Sequence, residues 1–378
     1  MATTIELTDR PRTGRPARRT GGADAAALAA ALRGRIGGEV RFDAGSRALY
    51  ATDASNSRQV PIGVVVPRNV EDVVQTVAVC RDFGAPILAR GGGTSLAGQC
   101  CNVAVVIDMS KELRAVVALD PRRREARVEP GCVLDHLRAA AAPHHLTFGP
   151  DPATHDHNTL GGMIGNNSCG VHSVMAGKTV DNVEELEILT YDGLRMRVGR
   201  TDDAELARII AEGGRPGEIY ARLRELRDRY AELIRRRFPD IPRRVSGYGL
   251  DQLLPENGFH VARALVGSES TCALTLEATV RLVDWPRART LVVLGFPDIA
   301  TAGDRVPEVL SHGPIGLEAL DDQLTEMATI LRLRSTTSSC CRRGAAGCWS
   351  SLAATPGGRR TNRAHGLVEA LRRTPRPP

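Results

Sequence analysis

The stretch Pro86–Cys101, "PILARGGGTSLAGQCC", puts three consecutive glycines, Thr94, Ser95 and then Gly98 directly after a short apolar run. Glycine loses more conformational freedom on folding than any other residue. Such a run marks a place where something approaches the backbone closely. Just upstream, "GVVVP" (Gly63–Pro67) reads as a buried strand. Asn69 is placed to cap a helix, with Glu71 and Asp72 in its favoured first turn. Val70, Val73, Val74 and Val77 recur at helical spacing through to Phe83, and Gly84 stops the helix before the strand "PILA". This is a β-α-β unit, and the glycines follow its second strand, where ligands bind in sheets of this kind.

The chain beyond reads as alternating strands and helices. "VAVVIDM", "RAVVALD" and "EARVEP" are strand patterns, and Val133, Leu134 and Leu137 lie on the core face of a helix. "LEILTYDGLRMRV" alternates about Asp192-Gly193, a two-residue hairpin signal. The stretches 203–212 and 218–237 are helical, polar and laced with Arg and Glu, as a solvated face is. Residues 271–283 return to a strand pattern.

Three phosphate-binding patterns compete for the glycine loop. The dinucleotide fingerprint G-x-G-x-x-G fails, because Leu96 stands where its third glycine belongs. A P-loop fails as well: Gly93 and Gly98 have the spacing, but Gln99 and Cys100 replace the lysine and hydroxyl. The third pattern is a loop whose amides, with the Thr94 and Ser95 hydroxyls, receive a pyrophosphate that is bound and not cleaved. A tight turn with no ligand is the plainer alternative. A second segment, Pro150–Gly170 "PDPATHDHNTLGGMIGNNSCG", is also rich in glycine, Asn and Thr. It has the loop-then-small-residue-helix look of a segment lying against a flat ligand. Its His155 and His157 have no third ligand at metal spacing, so they read as rim histidines and no metal site is expected.

Charge is unevenly spread. Residues 1–35 carry seven arginines and three acids and residues 332–378 ten arginines and one acid, so 36–331 is net −7 in a chain of net +6. An acidic middle, in a chain with 3% aromatic residues, argues against a nucleic-acid-binding protein. No apolar run reaches the roughly 20 residues of a membrane span. Arg18-Arg19 is followed by a weakly apolar stretch carrying Asp24, so 1–35 reads as a flexible basic leader ending in a short helix rather than an export signal. The nine cysteines include no C-x-x-C pair, and Cys80, Cys132, Cys169 and Cys272 sit singly among small or apolar residues, as reduced thiols do. The compartment expected is the cytoplasm, free or peripheral at the inner face of the membrane.

"ARGGGTSLAGQ", the Pro150–Gly170 segment and "ALVGSESTCALTLEATVRL" (Ala264–Leu282) together resemble the FAD-linked oxidases of the vanillyl-alcohol-oxidase type. The nearest branch is the D-lactate/glycolate dehydrogenase group, including long bacterial members that fuse a flavin domain to an iron–sulfur domain. The resemblance covers roughly 36–330. It implies an α+β fold: a two-subdomain PCMH-type FAD-binding domain over 36–285, then the beginning of an α+β substrate (cap) domain over 286–331. It implies noncovalent FAD, because Thr94 stands where some relatives carry a flavin-linking histidine. Arg90, Gly91, Gly92, Gly93, Thr94, Ser95, Gly98 and Gln99 would then cover the pyrophosphate. Pro150, Asp151, Thr154, Thr159, Gly161, Gly162, Asn166, Asn167 and Gly170 would follow the ribose, pyrophosphate and isoalloxazine. Gly267, Ser268 and Glu269 match the family's "GSEGT", with Ser270 replacing its glycine. The implied reaction oxidises a small D-2-hydroxy acid to a 2-keto acid by hydride transfer to flavin, with an iron–sulfur domain or protein as acceptor. The alternative is a noncatalytic FAD-binding fragment. No catalytic residue is assigned: no H-x-G-D-G-type motif follows 331, and nothing in the spacing singles out His155, His157, Arg58 or Arg263.

After "EALDDQLTEMATIL" (Glu318–Leu331) the composition changes. Residues 332–378 hold three of the nine cysteines and one acid; 332–360 have no periodic apolar face, and "RAHGLVEALRR" (Arg363–Arg373) looks helical again. They read as an anomalous basic tail, either disordered or translated in a shifted frame. A slipped Leu codon of GC-rich DNA reads as cysteine, and 48 arginines among 50 basic residues point to such DNA.

Overall fold

The structure is a computed structural model that describes residues 24–245, 247–321, 323, 346–354, 366 and 369. In chain order the elements are α1 (Ala25–Arg33), β1 (Glu39–Arg41), α2 (Ala44–Leu49), β2 (Gly63–Val66), α3 (Val70–Asp82), β3 (Ile87–Arg90), β4 (Val105–Asp108), β5 (Val116–Asp120) and β6 (Glu125–Val128). They continue with α4 (Leu134–Ala141), β7 (Leu146–Thr147), α5 (Leu160–Asn166), α6 (Ser173–Ala176), β8 (Val183–Leu189), β9 (Arg195–Val198), α7 (Asp203–Glu212), α8 (Gly214–Arg237) and α9 (Val261–Leu265). The last are β10 (Leu274–Arg281), β11 (Val283–Asp284), β12 (Ala288–Phe296), α10 (Ile299–Asp304), α11 (Val306–Ser311), β13 (Pro314–Leu320) and β14 (Ala346–Ala354).

Two α+β units hold the groove described below. The first has a sheet in the order β1-β2-β4-β3, parallel except for β1. All four residues of β2 and of β4 are buried, the pattern of strands covered on both faces. The expected cap of α3 is present: the Asn69 side chain accepts from Asp72 N at 3.0 Å. The second unit is an antiparallel sheet β5-β6-β10-β8-β9, whose β8–β9 hairpin turns at Asp192-Gly193, with Gly193 at φ 94°. Val73, Val77, Ile107 and Met109 of the first unit pack with Leu189, Leu274 and Leu276 of the second. That apolar seam fixes the two units against each other.

Two boundaries drawn from the sequence are corrected. The helix expected at the end of the leader forms as α1, capped by Asp24, but Leu28 and Leu32 are fully buried against Val79 and Cys80 of α3. The folded unit therefore begins by residue 25 and not at 36, because α1 covers one face of the first sheet. The second concerns 332–360, where no element was expected. Residues 346–354 form the middle strand of an antiparallel sheet β12-β14-β13, all nine paired with β12, from Ala288↔Ala354 to Phe296↔Ala346. The rest of 332–378, apart from Gly366 and Glu369, lies outside the described residues, as do residues 1–23. No helix among the described residues is long and apolar enough to cross a membrane.

Candidate cofactor groove

The two glycine segments, about sixty residues apart in sequence, meet face to face. The glycine side of each contact shows why no other residue serves. A Cβ on Gly91 would lie 2.1 Å from Thr159 Oγ1, and one on Gly92 2.3 Å from the His157 carbonyl oxygen. In the second segment itself, a Cβ on Gly161 would lie 2.8 Å from Pro130, and one on Gly170 2.1 Å from the Asp151 carbonyl oxygen. Most of these glycines let protein backbone approach protein. Gly162 differs: its nearest neighbour is Thr159 Oγ1 at 3.3 Å, and its bare face looks into the groove.

Between the segments runs a groove. Its inner end is a slot of ≈ 60 Å³ floored by Leu88, Met109 and Pro130, with Gly161, Glu269 and Ser270 on its wall. It widens into a cavity of ≈ 450 Å³ lined by Gly91–Ala97 on one side and Thr154, Thr159 and Asn166 on the other. Gly91, Ser95, Gln99, Cys100, Thr159 and Gly162 face both parts. Among the described residues, the N–H groups of Gly92, Gly93, Thr94 and Ser95 donate to no protein acceptor. Four successive amides are thus available to an anion, the donor set a nest uses. In the same wall Asn158 is 4% exposed, and its Oδ1 has no partner.

Other expected residues serve as struts. The Arg90 guanidinium donates to Thr52 O (2.8 Å), Cys100 O (3.1 Å) and Tyr50 O (3.3 Å), and it stacks on the Tyr50 ring at 5.3 Å. It closes the loop by tying its two ends to the first unit. Tyr50 in turn donates to Asp108 Oδ2 at 2.6 Å; its burial, then this bond, push the phenol well above its usual range. Gly98 (φ 80°) turns the chain against Ser57. Asn167 (φ 57°) ends α5 and accepts from Val180 N at 3.0 Å. Pro150 and Ser268 are buried, and Gly267 donates to Ile164 O at 2.8 Å, so all three lie behind the groove wall. Asp151 and Gly170 line the outer end. Glu269 accepts from Asn166 Nδ2 at 3.1 Å, with Gln99 Nε2 at 3.5 Å, away from the nest.

The remaining candidates are accounted for. His155 Nδ1 lies 2.7 Å from Asp135 Oδ2 and His157 Nδ1 2.6 Å from Asp156 Oδ1. Arg263 is spent on Val183 O and Glu184. Among the described residues no group of three or more His, Cys, Asp or Glu is arranged to hold a metal. Sequence reasoning missed Cys100, whose Sγ lies 3.1 Å from Ser95 Oγ and whose thiol burial pushes up. It also missed the pair Asp151–His172, in which one carboxylate accepts the His172 backbone N–H (2.9 Å) and meets Nδ1 at 2.5 Å. A separation of 21 residues hides that contact from any local pattern.

Residues 61–199 match the FAD binding domain family. The chain is 32% identical over 295 residues to D-2-hydroxyglutarate dehydrogenase of Pseudomonas putida, covering 77% of this chain and 29% of that one. It is 27% identical to glycolate oxidase subunit GlcD of Escherichia coli (70% of this chain, 44% of the relative). It is 29% identical to D-lactate dehydrogenase of Archaeoglobus fulgidus (70% and 48%). It thus spans less than half the length of each of these relatives. The solved structure of an alkyldihydroxyacetonephosphate synthase shares the fold at TM-score 0.60 and 16% identity, over 88% of this chain and 56% of that one. The glycine-walled groove between two α+β units thus lies in a chain whose residues 61–199 match the FAD binding domain family and which is similar to relatives named D-2-hydroxyglutarate dehydrogenase, glycolate oxidase subunit GlcD and D-lactate dehydrogenase.

Proposed function

We propose that the groove holds FAD noncovalently and that the protein oxidises a small D-2-hydroxy acid to its 2-keto acid. The observation that carries this reading is the run of unspent amides at Gly92–Ser95 facing a cavity of ≈ 450 Å³, within the 300–1,000 Å³ usual for cofactor sites. Those amides take the pyrophosphate, with Thr94 and Ser95 adding hydroxyls. The apolar slot beyond them shields one end of the cofactor from water, and Glu269, set off from the nest, accepts from ribose hydroxyls there. The other end, past Thr154 and Asn166, receives the ring. Bound FAD supplies the hydride acceptor; the chain's own residues bind and orient it. The reading includes an iron–sulfur domain or protein as the electron acceptor and the cytoplasm as the compartment.

The test is direct. Purified protein is yellow, releases FAD on acid precipitation, and melts higher with added FAD. Colourless protein that gains no thermal stability from FAD refutes the proposal. A second reading, an FAD-binding module without turnover, has its own support: no His or Lys lines the groove among the described residues. Anaerobic mixing with D-lactate separates the two. Rapid bleaching of the flavin marks an enzyme, and an unchanged spectrum marks a binding module.

A further inference from the structure

At its outer end the groove adjoins a second cavity of ≈ 540 Å³, sharing Pro152 and Ala153 with it. The walls come from three places: the second glycine segment at Asp151 and Gly170, the strand β13 at Glu318 and Leu320, and the loop after α8 at Arg243. The third sheet is seated there by packing, since a Cβ on Gly316 of β13 would lie 3.1 Å from Val171 and 3.5 Å from the His172 ring.

The charges in this cavity are not equally available. Asp151 is engaged twice by His172. Arg244, next along the chain, is spent on Asp251 at 2.5 Å and stacks on Phe238 at 4.7 Å. Arg243 is exposed, gives Nη2 to Gly170 O at 3.0 Å, and has no carboxylate within ion-pair distance among the described residues. A guanidinium carries five N–H donors in a planar fork that matches a carboxylate. One donor anchored to the backbone fixes the group, and the rest are free. Glu318 is the exposed carboxylate of the same cavity.

Resting on the FAD reading above, we propose that Arg243 binds the carboxylate of the acid substrate in this cavity, and that Glu318 disfavours a second carboxylate. The substrate class is then a monocarboxylic 2-hydroxy acid and not a dicarboxylic one. The argument is a charge count: one unspent guanidinium balances one carboxylate, and a second must enter against Glu318 with no described cation to offset it.

The experiment is calorimetric titration of pyruvate and of 2-oxoglutarate, as product analogues, into the FAD-loaded full chain and its variants, with FAD affinity measured separately. Wild type is expected to bind pyruvate more tightly than 2-oxoglutarate. Arg243→Gln weakens pyruvate roughly 10- to 100-fold, the loss of a charged hydrogen-bonded pair, and leaves FAD affinity and melting temperature unchanged. Arg243→Lys, which keeps charge without the fork, falls between them. Glu318→Gln narrows the gap between the two acids. Unchanged pyruvate affinity in Arg243→Gln, no binding of pyruvate by wild type, or tighter binding of 2-oxoglutarate each overturns the proposal. If wild type takes up no FAD, the cofactor reading falls by itself; the same titrations on the unloaded chain then decide the role of Arg243.

Discussion

Gly92 and Gly162 both line the groove, yet their replacement by alanine should fail in opposite ways. At Gly92 the new methyl lies 2.3 Å from the His157 carbonyl oxygen and 3.1 Å from its carbon. Both are backbone atoms that cannot rotate aside. Reaching ordinary contact needs the two loops to part by about 1 Å. Overpacking of this kind costs about 1–3 kcal/mol, or on the order of 2–10 °C of melting temperature in a unit of this size. That loss appears in the cofactor-free protein. At Gly162 the nearest atom is Thr159 Oγ1 at 3.3 Å, which must give by a few tenths of an ångström. Alanine within a helix is favoured over glycine by roughly 0.5–1 kcal/mol, so Gly162→Ala should melt no lower than wild type without cofactor. Its methyl, however, points into the groove, and FAD affinity should fall about tenfold or more. The assay is thermal unfolding with and without FAD, beside titration of FAD by quenching of its fluorescence. Gly92→Ala with an unchanged cofactor-free melt would refute the packing argument. Gly162→Ala with unaltered FAD affinity would refute the placement of the ligand.

Three further outcomes are expected. Ser270 is held at φ 56° beside Glu269 at φ 50°; left-handed backbone costs a non-glycine residue about 1–2 kcal/mol, and the looser unfolded chain of a glycine variant gives back about 0.4–1. Ser270→Gly should therefore raise the unfolding free energy by a net ~0–1.6 kcal/mol, read as a higher urea midpoint at unchanged slope, and a lowered midpoint would count against strain there. Burial, then the nearby Arg263 and Arg200, push the His260 imidazole down to about 4 from 6.5. Its contribution to stability is whole above the unfolded value and is lost as pH falls through this window, on the order of 3 kcal/mol; His260→Leu should lack that part of the slope between pH 7 and 4.5, and an identical slope would refute it. Truncation before Ala346 removes the strand that both β12 and β13 pair with, so residues 288–320 should become sensitive to protease while the groove still binds FAD; unchanged resistance would deny the pairing.

The elements legible in the sequence are those whose cause is local. The valines of α3 repeat at helical spacing, Asn69 caps them, and Asp192-Gly193 turns a hairpin, so neighbours along the chain suffice. β1, with three half-exposed residues, has no such pattern; it is a strand because β2 offers it an edge, Glu39 opposite Val66. β14 is the stronger case. "AGCWSSLAA" has no alternation, and its place is set by two partners more than twenty residues away in the chain. α1 was legible as a helix and illegible as part of the core, because its partners Val79 and Cys80 belong to α3.

The groove divides along the same line. Glycine in a sequence states that something comes close and leaves open what does. At Gly91, Gly92, Gly161 and Gly170 the close partner is the protein's own chain, and the space beside Gly92 is filled by the His157 backbone. Loops locked together by backbone contacts, with Arg90 tying the first loop to Tyr50, Thr52 and Cys100, are formed before any ligand arrives. Four amides then stand unpaired, and on the proposed reading a pyrophosphate would gain their hydrogen bonds without the cost of ordering the loop. The unsatisfied donors and the tight glycine packing are thus one feature: the packing of Gly91 against Thr159 and of Gly92 against the His157 backbone keeps the loop from turning its amides inward to find partners of their own.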